Sequence, residues 1–305
     1  MTENTIPVIN YLPVEKRIPN TQYLSLLEKI LKKGRKVNPI HGEFALMLVG
    51  EQLRFPMEHG FPLLTERDLS KTFPGAIGEL VGFLNGAQTI DELQKYGCPR
   101  IFWDRWVTKE KCAFWGLEEG DLGSASYGAI WTRCPTRDGK TFNQIENVIR
   151  QIREMPQLRT HTINTFYPPE VIGPKGTRKV VVAPCHGDVH ILVFPETKEL
   201  ILHHKQRSGD MPTGIPLDII EYAALGMMLA QVLGYTFTEL VYSISDAHIY
   251  ECQIPKVKEL LTREPRSFPT VTLDSDIKNI FDFRREHFHL DDYNPNPKII
   301  FPTPV

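Results

Sequence analysis

The sequence predicts an α+β fold in a single domain. The strand-like runs gather in the second half of the chain, helices flank them, and no regular βαβ alternation connects the two. At 305 residues and 35.0 kDa, with 41% hydrophobic and 24% charged residues, the chain is ample for one large buried core. It contains no internal repeat, low-complexity segment or Gly/Ser linker.

Residues 1–20 are Pro-rich and read as an irregular arm, leaving 21–305 as the catalytic domain. Apolar residues at Leu24, Leu27, Ile30 and Leu31 predict a helix over 23–33 that stops at Gly34. The run from Phe44 to Val49 has strand length. Residues 78–84 read as part of a buried helix with Glu79 as its only charge. The Gly- and charge-rich stretch 104–140 reads as loop-dominated. Phe142, Ile145, Val148, Ile149 and Ile152 form an amphipathic helix ending before Pro156. Strands are expected at 160–166, 180–183, 189–194 and 200–204. A long, largely apolar helix follows over 215–233, then a strand over 240–245.

Composition narrows the function. A net charge of −2 offers no general attraction to nucleic acid or an anionic membrane, so neither partner is expected and any phosphate site must be local. No uninterrupted apolar run reaches the roughly 18 residues of a membrane span, and Met1-Thr2-Glu3-Asn4 lacks the form of a signal peptide. Five cysteines without CxxC spacing suggest neither a disulfide framework nor a metal site. A reducing, cytoplasmic setting is the expectation.

Four segments carry chemistry. Cys185 follows Pro184 and precedes His186. Its thiolate can add to the electron-poor C6 of a pyrimidine, making C5 a carbon nucleophile. Positive charge, such as that of Arg207, is needed to lower the thiol pKa. Gln206-Arg207-Ser208 offers a guanidinium fork and a hydroxyl for a phosphate dianion, followed by Asp210 and Gly214-Ile215-Pro216-Leu217-Asp218. In Asp246-Ala247-His248-Ile249-Tyr250, the His and Tyr alternate along a strand and point to one face. Glu79, a lone acid amid apolar residues, is costly unless it is paired or carries protons.

Taken in this order, the segments resemble the thymidylate synthase superfamily, over about Arg35 to Val305. The resemblance implies a single α+β domain with a mixed sheet flanked by helices, forming a homodimer through the sheet. It implies a nucleotide substrate and 5,10-methylenetetrahydrofolate as co-substrate, with no metal. Cys185, Glu79, Tyr127 and His186 then serve catalysis. Arg35, Arg207, Ser208 and, from the partner subunit, Arg159 hold the phosphate, with Gln206, Asp210 and Gly214 also lining the nucleotide. His248 and Tyr250 bind the sugar 3′-OH. Glu79, Trp103, Asp210 and Gly214 face the folate.

The chain departs from the family pattern at several points. Thr160 replaces the second of two consecutive partner arginines. Gly82 replaces a Trp, which implies an altered folate wall, and one residue is inserted before Tyr127. His190-Ile191 replaces the usual Gln-Phe. Phe301-Pro302-Thr303-Pro304-Val305 ends where the family has its lid-closing tail.

The departure that matters most is Asp218, where a thymidylate synthase carries Asn. Uracil offers an O4 acceptor and an N3–H donor, whereas cytosine offers the opposite pair. A carboxyl accepts from the cytosine amino group, and the N3 side then needs a proton on the base or on a buried Asp. Asp218 therefore points to dCMP, and both catalysis and substrate binding involve it. Its alternative use is as a helix N-cap. Cytosine-specific relatives are chiefly hydroxymethylases of bacteriophages that modify their DNA, so the expected product is 5-hydroxymethyl-dCMP with release of tetrahydrofolate. The alternatives are a dCMP methyltransferase releasing dihydrofolate, an atypical thymidylate synthase on dUMP, a CMP hydroxymethylase, and a silent nucleotide-binding relative.

Overall fold

The computed structural model describes residues 6–39, 43–174 and 176–303. Met1–Asn4 and the last two tail residues, Pro304 and Val305, lie outside the described residues. The core of the fold is a seven-stranded mixed sheet. Its order is Arg35–Val37, Ala45–Pro56, Thr236–Tyr250, Glu199–Gln206, Asp188–Phe194 and Thr162–Ile163, with the short Gly209–Asp210 strand beside Thr236–Tyr250. Glu199–Gln206 runs parallel to Thr236–Tyr250, and the helix Gly214–Leu233 makes the crossover between them. The other long pairings are antiparallel.

The crossover helix is apolar on nearly every side and is buried accordingly. By length and composition it could cross a membrane, a property hidden in the apolar-run reading because Asp218 and Glu221 interrupt it. It is packed inside the protein instead. Gly226 lets it approach the sheet, since a Cβ there would meet the Phe237 ring at 2.3 Å. Gly234, with φ of 72°, ends the helix in a left-handed cap.

The helix Gln22–Lys33 forms where predicted and stops at Gly34. The buried helix is longer than its predicted half, running Phe73–Leu84 with a proline in its first turn. The amphipathic helix is Gln144–Glu154. The predicted strand at 240–245 is the middle of a fifteen-residue one.

Three expectations need correction. The stretch 104–140 is not loop-dominated. It contains the helices Lys109–Phe114 and Tyr127–Arg133 and a small hairpin, Cys134–Pro135 with Thr141–Phe142. Residues 180–183 form no strand: the chain bends at Val181 and Val182, and guanidinium groups take several of the carbonyls that a ladder would use. Arg178 donates to Val180 O and Val181 O, and Arg207 to Ala183 O. The expected strand 160–166 shrinks to Thr162–Ile163. Beyond it, side chains replace the ladder: Asn164 N donates to Gln144 Oε1 and Thr165 N to Asp188 Oδ1.

Candidate active site

The sheet brings together segments far apart in sequence. Arg35 lies opposite Met47, Met47 opposite His248, and His248 opposite Asp210. These four residues therefore form one row across the strands and point to the same face. Tyr250 lies one step further along that face, its ring 4.9 Å from that of His248. Glu199–Gln206 and Gly209–Asp210 both run parallel to Thr236–Tyr250, and the two-residue break between them places Arg207 and Ser208 beside Cys185, whose carbonyl accepts from both backbone N–H groups.

Cys185 is held from three directions. Its backbone N–H donates to the Tyr127 hydroxyl at 2.9 Å, and its carbonyl accepts from Arg207 N at 2.7 Å. Arg207 Nη2 lies 3.4 Å from Sγ. The same guanidinium donates to Pro184 O and Ala183 O, which fixes it alongside the thiol. Burial pushes the thiol pKa up, and the carboxylates Asp218 and Asp246 add to that. Arg207 works against them without reversing the direction. The expected lowering by Arg207 is thus present as a contribution, but it does not win in the ligand-free protein.

Ser208 Oγ donates to Asp246 at 2.8 Å, and the other Asp246 oxygen contacts His248 Nδ1 at 3.0 Å. Burial would raise the Asp246 pKa, but the bonds from His248 and Ser208, with the charge of Arg207, bring it below the usual range. Asp246 thereby ties the expected phosphate and sugar residues into one unit.

Asp218 stands four residues inside its helix, whose cap position is Thr213, so it is not an N-cap. It is buried, and its Oδ2 accepts from Gln206 Nε2 at 2.7 Å. Tyr242 in turn donates to Gln206 Oε1, which fixes the orientation of that amide. His186 Nε2 is 3.7 Å from Asp218 Oδ1, while Nδ1 meets the Tyr222 hydroxyl at 2.6 Å. The imidazole stacks on Tyr127 with centroids 4.3 Å apart. Burial lowers the His186 pKa and raises that of Asp218, in the latter case against His186 and Gln206. A neutral histidine beside a carboxyl with raised proton affinity is the result.

Glu79 accepts from Trp103 Nε1. Burial raises its pKa to about 7, Glu221 and Trp103 oppose the rise through hydrogen bonds, and Asp218 adds to it. Glu221 lies one helical turn beyond Asp218. Among the described residues no hydrogen-bond partner reaches either of its buried oxygens. Burial and the charges of Glu79 and Asp218 hold its pKa well above the ordinary value. Donor atoms of His186, Asp218 and Glu221 lie within 4.8 Å of one another.

Tyr127 opens the helix Tyr127–Arg133, its ring stacked on Phe83 and its hydroxyl accepting from Cys185 N. A Cβ at Gly82 would lie 2.7 Å from Leu93 Cδ2, so this position faces the helix Ile90–Lys95. Asp210 accepts from Gln253 Nε2 at 3.0 Å, and the same amide donates to Pro302 O in the C-terminal tail. Phe301 lies under the Arg67 guanidinium at 4.8 Å. Gly214 is the first residue of the crossover helix, beside Asp210. Arg159 is exposed on the turn after Gln144–Glu154 and shares none of these contacts.

Sequence reading missed Glu221, Tyr222, Tyr242 and Gln253. The signal for Glu221 was present: a second acid three residues after Asp218, on the buried stripe of an otherwise apolar helix. Nothing local marked the two tyrosines, which read as core.

The thymidylate synthase family model matches residues 21–305. That family transfers a one-carbon unit from methylenetetrahydrofolate to a pyrimidine nucleotide. The chain belongs to the thymidylate synthase family.

Proposed function

We propose that this protein is a dCMP 5-hydroxymethylase, converting dCMP, 5,10-methylenetetrahydrofolate and water to 5-hydroxymethyl-dCMP and tetrahydrofolate. The observation that carries the reading is the buried Asp218 carboxyl, locked by Gln206 and free of any capping duty. As a carboxylic acid it accepts from the cytosine amino group through one oxygen and donates to N3 through the other, the pairing that cytosine requires and uracil refuses.

In this reading Cys185 adds to C6, and the adjacent Arg207 stabilises the thiolate as it forms. Arg207, Ser208 and Arg35 hold the phosphate, completed by Arg159 of a second subunit in a two-fold homodimer formed through the sheet. His248 and Tyr250 take the sugar hydroxyl. Bound folate supplies the methylene. Trp103, Glu79, Asp210 and Gly214 line its side of the site, with Trp103 orienting Glu79. The Glu79–Glu221 pair supports the hydroxymethyl product, because a buried acidic pair at the base can hold and deprotonate a water.

The test is incubation of the enzyme with dCMP and 5,10-methylenetetrahydrofolate, with mass analysis of the nucleotide and absorbance of the folate. A gain of one hydroxymethyl group without dihydrofolate is expected. Dihydrofolate accumulating in step with turnover would establish methylation instead, and turnover of dUMP alone would overturn the cytosine assignment.

A further inference from the structure

His204 is fully buried in the strand Glu199–Gln206 and has no part in the chemistry described so far. Its Nε2 lies 3.1 Å from the backbone nitrogen of Gly187, the residue after His186. A backbone N–H only donates, so Nε2 is the unprotonated nitrogen and the ring proton sits on Nδ1. Nδ1 has no hydrogen-bond partner among the described residues. The imidazole thus satisfies one buried N–H and leaves another unsatisfied, so by count it gains nothing over an apolar side chain. What it changes is where the loose end lies: the loop peptide is held, and the strand's own side chain carries the unpaired proton.

We propose that His204 is a positioning residue for the reaction, one that fixes the peptide after His186 and so keeps the His186 imidazole facing Asp218. This rests on the site of the proposed function, with Cys185, His186 and Asp218 at the base, and not on which pyrimidine is turned over. The two halves of the loop are held differently. Cys185 is tied by the Tyr127 hydroxyl and by the backbone N–H groups of Arg207 and Ser208. Beyond it, the Gly187 peptide is tied by His204. As a glycine with φ of 103°, Gly187 has more backbone freedom than its neighbours, and its N–H is where a single tie removes most of it. Released from Nε2, this peptide can rotate, and the His186 ring, 3.7 Å from Asp218, moves with it.

The ring that makes this tie is itself fixed. It stacks on Tyr222 of the crossover helix, with centroids 3.6 Å apart and planes at 18°. Its cross-strand neighbour Tyr242 stands 4.5 Å away. Tyr222 also meets His186 Nδ1 at 2.6 Å, so the stacked pair bears on His186 through both its backbone and its side chain. Burial, with His186 and His203 adding to it, holds the His204 pKa well below the ordinary value, which keeps Nε2 an acceptor at neutral pH.

Two variants separate the acceptor from the ring. His204→Phe keeps an aromatic face for Tyr222 but offers Gly187 no acceptor, whereas His204→Gln keeps an amide oxygen at similar reach and loses the ring. In His204→Phe, kcat for dCMP should fall on the order of 100-fold with KM little changed, and His204→Gln should recover most of the loss. Iodoacetamide should alkylate Cys185 at the wild-type rate in both, because the ties of the thiol's own half of the loop are intact. Equal losses in the two variants, wild-type kcat in His204→Phe, or altered alkylation would overturn the assignment. Long-range proton–nitrogen correlation spectra of the histidine-labelled wild-type protein read the tautomer without turnover and without a variant. His204 should carry its proton on Nδ1 at pH 7, and a proton on Nε2 would overturn the proposal outright. If the wild-type enzyme leaves dCMP untouched, the cytosine reading falls, dUMP takes its place in the same comparison, and the tautomer still decides whether Gly187 is held.

Discussion

Gln206 donates its amide N–H to Asp218 at 2.7 Å, and the orientation of that amide is dictated from behind by the Tyr242 hydroxyl. Residue 218 is consequently compelled to turn an oxygen toward Gln206. In Asp218→Asn the amide oxygen takes that place and the NH₂ faces the base, where it meets the O4 acceptor of uracil and clashes with the cytosine amino group. The ratio of kcat/KM for dCMP to that for dUMP should fall on the order of 100-fold or more. Measuring both substrates on both proteins checks it, and an unchanged ratio would remove Asp218 as the reader of the base.

Cys185→Ser should lower turnover on the order of 1,000-fold or more, because a hydroxyl at neutral pH is a far weaker nucleophile than a thiolate. Nucleotide binding, followed by calorimetry, should survive, since Arg207 is anchored on the carbonyls of Ala183 and Pro184 independently of the sulfur.

Arg159 stands exposed and apart from the thiol cluster of its own chain, as a residue lent to a partner would. Mixing Arg159→Ala with Cys185→Ser under conditions that exchange subunits should restore roughly a quarter of wild-type activity, because half the dimers then carry one intact site. Two variants that stay inactive together would mean that Arg159 serves its own chain or no site at all.

Glu66 is buried with neither oxygen hydrogen-bonded among the described residues, and burial raises its pKa to about 7, against nearby backbone donors and Arg67. The folded state thus binds a proton more tightly than the unfolded one. The resulting stability is complete below about pH 4.5 and disappears as pH rises through about 7. Relative to Glu66→Gln, wild type should lose about 2–3 kcal/mol between pH 5 and pH 8. Urea unfolding of both proteins at the two pH values measures this, and parallel curves would refute it.

Much of the fold was legible because long periodic segments carry their own signal. The helices at Gln22–Lys33 and Gly214–Leu233 and the hairpin strands ending at Phe194 and Gln206 lie where hydrophobic patterning puts them. The pattern failed where side chains take over backbone hydrogen bonding. Residues 180–183 have strand composition, yet Arg178 and Arg207 occupy the carbonyls that a neighbouring strand would need. The thiol, the phosphate pair and the base-reading acid were visible as local motifs. Glu221 and Tyr222 were not, because their meaning comes from what faces them across the fold: Glu79 from another helix and His186 from a loop.

The strand Thr236–Tyr250 is the last to be added to the main sheet, yet it pairs with Ala45–Pro56, near the other end of the chain. Such non-local pairing must close long loops before it repays their entropy, which makes folding slow and leaves unpaired edges exposed in the meantime. A nascent chain cut short of Thr236 already contains Cys185, Arg207 and Asp218 but has no central strand to hold them side by side. The chemistry therefore waits for Thr236–Tyr250 to be made and paired. Assembly of the reactive centre is itself a check that this strand is in place.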